Sequence, residues 1–342
     1  MNDSKTLKIG MIGVGSSATN IAETIATVDG VELVGLSAKT VEEAAELSEK
    51  YSINFVTDDY TELCDKEDID FIVISTPHAL HHRMAVYALN QGKHVLVEKP
   101  IATKVEDAEE MIQLAREKNL KLGVHFQCRF FGAVKKAQEM IKSGELGEVL
   151  QVNVSVMWYR PPEYYENNWK GTWDLEGGSS LINQAIHPVD EMVHLVGDVK
   201  TLFGFKEAKI HDIETEDNTA AVFQFENGAF GTIQSSTSSK AAFPAKLTIF
   251  GSQKGIEING NILTVYNDDG SSDVHDFTGG GQVGSAKDPK KFSLKAHSAM
   301  MKDFRDAILE DRDPEVTGEQ GLKSLKVVRA VYDSNGSKII NL

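Results

Sequence analysis

Apolar and polar positions along the first third of the chain keep changing period. Leu7-Lys-Ile-Gly-Met-Ile12, Val31-Glu-Leu-Val-Gly-Leu36, Asp70-Phe-Ile-Val-Ile-Ser75, His94-Val-Leu-Val97 and Leu120 to Val124 are short, nearly continuous apolar runs, as strands covered on both faces require. Segments with helical spacing lie between them: after the first strand to about Val28, Glu42 to Tyr51, Ala79 to Gln91 closed by Gly92 in the C-cap position, and Val105 to Lys118. Alternating strands and helices predict βαβ units and a doubly wound parallel sheet over residues 1–124. Beyond that point the pattern changes. Phe131 to Lys142 reads as a helix, Val149 to Trp158 as a strand, Tyr159 to Glu176 as a loop rich in Pro, Tyr and Trp, and Ser179 to Val196 as one helix. Thr201 to Phe277 holds many short β-type runs punctuated by Asn227-Gly228, Asn259-Gly260 and Asp269-Gly270, and helices near Ser293 to Glu310 and Glu319 to Asn335 close the chain. Residues 125–342 are therefore expected to form an α+β domain around a large open, mainly antiparallel sheet. Such a sheet needs its outer face or edge protected, which predicts a homodimer or homotetramer assembled through it.

Gly13-Val-Gly-Ser-Ser-Ala18 sits between the first strand and the first helix, the context in which a glycine loop reads as a dinucleotide site on a Rossmann sheet. Gly13 allows the tight turn. Gly15 lets the backbone approach a pyrophosphate with no Cβ in the way, and Ala18 keeps the helix against the strand. The amides around Ser16 and Ser17 lie at the positive end of that helix. Cofactor choice depends on the end of the second strand, where an acid would bind the adenosine ribose and repel a 2′-phosphate. Here the residues are Ser37-Ala38-Lys39-Thr40. Ser37 and Thr40 can donate to a phosphate and Lys39 can pair with it, which favours NADP and leaves NAD as the alternative. Ligands of such sheets sit beyond the carboxyl ends of the strands. Gly13, Thr76 to His81, Glu98 to Pro100 and His125 to Arg129 are thus expected to line one crevice.

Composition narrows the partners. Lys+Arg 35 against Asp+Glu 51 leaves a formal charge of −16, which argues against nucleic acid or an anionic membrane as the main partner. No apolar run approaches the length of a membrane helix, and the first residues lack the pattern of a secretory leader. Cys64 and Cys128 are isolated, so a reducing, cytoplasmic setting without disulfides is expected.

Three segments recur in order: the glycine loop, Glu98-Lys99-Pro100, and Gly177-Gly-Ser-Ser-Leu-Ile-Asn-Gln-Ala-Ile-His187. Together, and over nearly the whole chain, they resemble the Gfo/Idh/MocA oxidoreductases, a family that includes glucose–fructose oxidoreductase and inositol dehydrogenases. The resemblance implies a Rossmann domain, a second domain whose open sheet packs between subunits, and reversible hydride transfer between a nicotinamide and a hydroxyl of a polyol, sugar or nucleotide sugar. Lys99 matches the family's lysine and His187 its histidine, whereas Asn183 stands where many members have Asp. The family's three-glycine run is reduced to Gly177-Gly178-Ser179. Thr76-Pro77 and His81 resemble its cofactor-lining stretch, Glu98 is placed beside the nicotinamide ribose or Lys99, and a cis peptide before Pro100 is implied. No metal is expected, because relatives use none and no cysteine accompanies His78, His81 and His82.

These residues suit the chemistry. An imidazole, with an ordinary pKa near 6.5, can take the proton of a secondary hydroxyl as hydride leaves its carbon, and His187 is assigned that role. Lys99 can stabilise the developing alkoxide. Asn183, four residues before His187 on the expected helix, can orient a substrate hydroxyl. Aromatic and charged side chains of the intervening loop, Arg160, Tyr164 and Trp173, are candidates for holding a sugar ring, as is Arg129. Asp190 reads as structural. Two competing readings are a dinucleotide-binding sensor without turnover, and an enzyme using a transient redox cycle for a net non-redox step such as glycoside cleavage.

Overall fold

The structure, a computed structural model, describes residues 5–15, 17–166, 169–279 and 294–342. The chain forms two compact units: Met1–Gln127 with Leu294–Leu322, and Cys128–Ser293 with Lys323–Leu342. The single boundary expected after residue 124 is thus replaced by one that the chain crosses more than once.

The first unit is built on β1 (Leu7–Ile12), β2 (Val31–Ser37), β3 (Phe55–Thr57), β4 (Phe71–Ile74), β5 (His94–Glu98) and β6 (Leu122–His125). All pair in parallel, in the order β3-β2-β1-β4-β5-β6. Every residue of β4 and β6 is buried, as the unbroken apolar runs require. The crossovers carry α1 (Ala18–Thr27), α2 (Ala45–Tyr51), α3 (Tyr60–Cys64), α4 (His81–Asn90) and α5 (Val105–Glu117). β3 and α3 escape the sequence pattern because each is too short to establish a period. The latter is started by Asp59, whose carboxylate accepts the Thr61 amide at 2.9 Å. A sixth helix comes from far along the chain: Ala296, Met300, Met301, Phe304 and Ala307 of the segment Leu294–Leu309 are buried, and Phe304 meets Phe71 edge-on at 5.4 Å. That apolar stripe is why this segment belongs with the first sheet.

The second unit opens with α6 (Gly132–Lys142) and β7 (Val149–Met157), continues through α7 (Ile186–Val196), and then gives β8 (Val199–Glu207), β9 (Asn218–Phe225), β10 (Phe230–Ser236), β11 (Lys246–Gly251), β12 (Gly255–Asn259), β13 (Ile262–Tyr266) and β14 (Ser272–Asp276). After α8 (Leu294–Leu309) and α9 (Gly318–Ser334), β15 (Ile340–Asn341) returns to the edge of the same sheet. The order is β14-β13-β12-β11-β7-β10-β9-β8-β15, antiparallel throughout except that β7 and β10 run parallel. One face is core: Val152, Val154, Val156, Ile233, Leu247 and Ile249 are buried. The other face keeps Phe205, Val222, Phe230 and Val274 more than half exposed, and a groove of about 460 Å³ there is lined by Asn153, Phe203, Val222, Phe230 and Ile339 among others.

The single helix expected from Ser179 to Val196 is two elements. Ser180–Ala185 is a π-helical turn, and only Ile186–Val196 is α-helical. The entry is held from outside: the buried Glu216 carboxylate accepts the amides of Ser179 (3.1 Å) and Leu181 (2.9 Å), donors that a helix start leaves unmet.

Candidate functional site

The parallel sheet puts the carboxyl ends of β1, β2, β4, β5 and β6 on one edge. Gly13 has φ +99°, and a Cβ there would lie 2.1 Å from the Ser75 carbonyl at the end of β4; only glycine lets the loop after β1 lie against β4. Gly15 has nothing within 4 Å of its Cβ position. Gly15 and Ser17 are exposed and Ala18 is buried at the start of α1, so the loop that leads into the helix start is accessible at these two residues, where an anion would bind. Ser16 lies outside the described residues. At the end of β2, Lys39 is exposed, but Ser37 is 2% exposed. Ser37 thus does not present its hydroxyl to a phosphate as expected; its carbonyl instead accepts the Gly13 amide at 2.8 Å.

Thr76 and Pro77 are half-buried after β4, and Glu98 and Lys99 half-buried at the end of β5. The Lys99–Pro100 peptide is cis. His81, expected to touch cofactor, is fully buried, with its ring nitrogens 2.8 Å from the Pro100 carbonyl and 3.0 Å from that of Thr76. It ties the loops after β4 and β5 together and acts behind the site. Sequence reading missed a second support. His125, at the end of β6, contacts the Glu98 carboxylate at 2.6 Å, and the other Glu98 oxygen accepts the Lys99 amide at 3.2 Å. Burial raises the Glu98 carboxyl, but His125, Lys99 and His297 outweigh it and hold it down at about 2. Glu98 is therefore an anion at any working pH, fixed next to the Lys99 backbone. Burial and the neighbouring His125 push His297 down to about 3.

In the second unit, every residue from Glu176 to Val193 is buried except Asn183 and His187, which are half-exposed. Gly177 and Gly178 both have positive φ, and a Cβ on Gly178 would lie 2.2 Å from the Tyr332 hydroxyl. Ser179, third in the run, has φ −141° and ψ −82°, a negative φ unlike that of the two glycines before it. Behind Asn183 lies a polar network. Its Nδ2 donates to Glu176 Oε1 at 2.5 Å and to the Tyr164 hydroxyl at 3.4 Å. The Tyr164 hydroxyl also accepts from Gln184 Nε2 at 2.9 Å, and Gln184 Oε1 accepts from Arg160 Nη2 at 2.6 Å. Burial pushes Glu176 up to about 7 and Tyr164 well above the ordinary phenol value.

Three substrate candidates thus gather in one network, but Arg160 is 4% exposed and its guanidinium stands 5.1 Å over the Trp158 ring. It supports Gln184 and is not offered to a ligand. Trp173 is elsewhere on the loop, its Nε1 donating to the Glu214 carbonyl at 2.9 Å and its ring edge-on to Tyr332. Arg129 is a clear correction. It is 1% exposed and forks onto Asp190, Nε to Oδ2 at 2.7 Å and Nη2 to Oδ1 at 2.6 Å. Asp190 is accordingly a structural residue, and Arg129 is its partner. Glu176 went unnoticed in the sequence, although a lone acid in Leu175-Glu-Gly-Gly-Ser-Ser-Leu-Ile182, a run otherwise suited to burial, is a signal for a buried functional charge. Among the described residues no group of His, Cys, Asp or Glu could hold a metal ion, and no helix is long and apolar enough to cross a membrane.

Comparison with known proteins identifies the family to which this fold belongs. Residues 7–126 match the family model for the GFO/IDH/MocA oxidoreductases with an NAD-binding Rossmann fold, and residues 134–257 match the model of the GFO/IDH/MocA C-terminal domain. The chain belongs to the Gfo/Idh/MocA family. It is an NAD-binding oxidoreductase. It is 26% identical over 324 residues to 1,5-anhydro-D-fructose reductase of Ensifer adhaerens, covering 94% of each chain. It is 23% identical over 252 residues to myo-inositol 2-dehydrogenase of Thermotoga maritima, covering 72% of this chain and 73% of that one. Among solved structures, the WlbA dehydrogenase of Bordetella pertussis, in complex with NADH and UDP-GlcNAcA, superposes with a TM-score of 0.85 at 26% identity over 99% of both chains.

Proposed function

We infer that this member of the family oxidises or reduces a secondary alcohol or ketone of a sugar, inositol or sugar derivative, passing the hydride to or from a nicotinamide. The observation that carries the reading is that Lys99 and His187, the residues suited to polarising the oxygen and moving its proton, are both retained in a chain of this family, and both are half-exposed. The dinucleotide's hydride-accepting ring supplies the redox chemistry. Gly13, Gly15, Ser17 and Ala18 bind its pyrophosphate, with Thr76, Pro77, Glu98 and Lys99 along the nicotinamide half. Tyr164, Asn183 and His187 meet the substrate. The alcohol and ketone substrates named for the two curated relatives support this class.

NADP is the favoured cofactor. β2 ends without a carboxylate, and Lys39 is exposed where a 2′-phosphate would need a cation. Both points are tested by following nicotinamide absorbance over a panel of inositols, aldoses and nucleotide sugars with each cofactor. Turnover of at least one class, with kcat/KM higher for NADP and the preference lost in Lys39→Ala, is the expected result. Silence across the panel removes the functional reading, and a strong NAD preference removes the cofactor assignment alone.

The exposed apolar face of the second sheet is the surface through which copies of the chain assemble. Phe205, Val222, Phe230 and Val274 are each more than half exposed on it, and clustered exposed apolar side chains mark interaction surfaces. Sedimentation is expected to show a dimer or tetramer, and a monomer at micromolar concentration contradicts this.

A further inference from the structure

Glu176 lies directly behind Asn183 in the second unit. The amide is planar, with two N–H donors on one side and one acceptor oxygen on the other. Asn183 Nδ2 donates to Glu176 Oε1 at 2.5 Å and to the Tyr164 hydroxyl at 3.4 Å. The second Glu176 oxygen accepts the Gly171 amide at 2.5 Å. With its NH₂ group held by these acceptors, the amide cannot exchange its donor and acceptor edges freely, on a residue that is half-exposed in a buried run.

We propose that Glu176 is a positioning residue whose carboxylate sets the orientation of the Asn183 amide, so that this site recognises a substrate hydroxyl that donates to Asn183 Oδ1. This rests on the reading that Asn183 meets the substrate. The consequence for substrate class follows from hydrogen-bond polarity. An amide oxygen repels a ketone oxygen, and the reacting hydroxyl gives its own proton to the base. The group bound by Asn183 is therefore a second hydroxyl of the substrate.

The orientation depends on the charge of Glu176. When ionised, it can only accept, and it holds the NH₂ group. When protonated, its O–H donates to Asn183 Oδ1 and the amide reverses. Burial is the main cause that raises Glu176 to about 7, and Glu216 adds to it. The Gly171 amide, Asn183 and Lys170 oppose it. Tyr164, Tyr165 and Tyr332 are the other titratable groups facing it among the described residues, and they are neutral at this pH because burial raises all three. The reversal is thus expected as pH falls through neutrality.

The test has two arms on the full-length protein. In the first, the side-chain amide ¹⁵N–¹H signals of Asn183, assigned by their loss in Asn183→Ser, are followed from pH 5.5 to 8.5. They are expected to titrate near neutrality in the wild type and to be flat in Glu176→Gln, whose fold is checked by circular dichroism. In the second, KM for a turned-over sugar is expected to rise roughly five- to tenfold from pH 8 to pH 6 in the wild type, about the worth of one hydrogen bond, and to stay flat in Glu176→Gln. If the wild-type signals do not titrate, or titrate identically in Glu176→Gln, the proposal is overturned. If they titrate as expected while KM follows the same pH curve in both proteins, the substrate contact is overturned. Should Glu176→Gln not fold, a wild-type titration that vanishes in Glu176→Asp, whose shorter side chain withdraws the carboxylate, supports the proposal, and one that persists there unchanged opposes it. Absence of turnover with every sugar defeats the functional reading instead, and the first arm still decides the orientation.

Discussion

Lys99→Ala and His187→Ala are each expected to lower kcat for sugar turnover by about two to four orders of magnitude, the usual worth of a positioned proton-transfer group or charge stabiliser. Dinucleotide binding, read by quenching of protein fluorescence, is expected to survive both changes, since the proposed pyrophosphate site is the backbone of the glycine loop and contains neither residue. If each residue acts only in the transition state, kcat and kcat/KM fall together and KM barely moves. The double variant is expected to be little worse than the poorer single one, because groups that act on one step are not additive. Full activity in both single variants would remove the assignment. Loss of activity together with loss of dinucleotide binding would instead point to damage in the first unit.

Arg129→Ala is expected to destabilise the second unit by about 3–5 kcal/mol, because it leaves the Asp190 carboxylate in the interior without its counter-charge. The side chains are 0% and 1% exposed and joined by two parallel hydrogen bonds, so solvent cannot substitute for the guanidinium. Ser324 Oγ still donates to Asp190 Oδ1 at 2.8 Å, but one neutral hydroxyl does not balance a buried charge. A fall in Tm of roughly 10 °C corresponds to that loss for a unit of this size. Arg129→Lys is expected to recover only part of it, since an ammonium cannot fork onto both oxygens. Arg129→Met with Asp190→Leu is expected to recover more, because removing both charges leaves nothing unpaired. A loss below about 1 kcal/mol for Arg129→Ala would show that water reaches Asp190 and that the pair is not structural. The same experiment separates packing from binding: if Arg129→Ala keeps its Tm but raises KM, the residue meets substrate after all.

The two sheets were legible in the chain because their signals are local. A strand buried on both faces must be an apolar run, as in Asp70 to Ser75, and a half-buried one must alternate, as in Val149 to Trp158. The glycine at position 13 was equally legible, since the turn after a first strand demands a residue without Cβ, and the structure shows the Ser75 carbonyl in the space a side chain would fill. Lys99 and His187 stood out for a different reason, as parts of motifs whose order along the chain specifies a family. None of this required knowing which distant residues meet.

What only the tertiary structure decided is the partner of each polar side chain. Arg129, Arg160, His81 and Ser37 have residue types that suit a ligand, and nothing in their immediate neighbours says otherwise. Arg129 is taken up by a carboxylate 61 positions away and Arg160 by an amide 24 positions away. His81 is consumed by two backbone carbonyls and Ser37 by the close packing of strand ends. The same holds for the π-helical turn, which depends on Glu216 reaching the amides of Ser179 and Leu181, and for Leu294–Leu309, whose apolar stripe names no destination until Phe71 is beside it. Hydrophobic periodicity reports which face of an element is buried. It carries no information about what lies opposite, and for a buried charge or hydrogen-bonding group that opposite partner determines whether the residue supports the fold or serves the site.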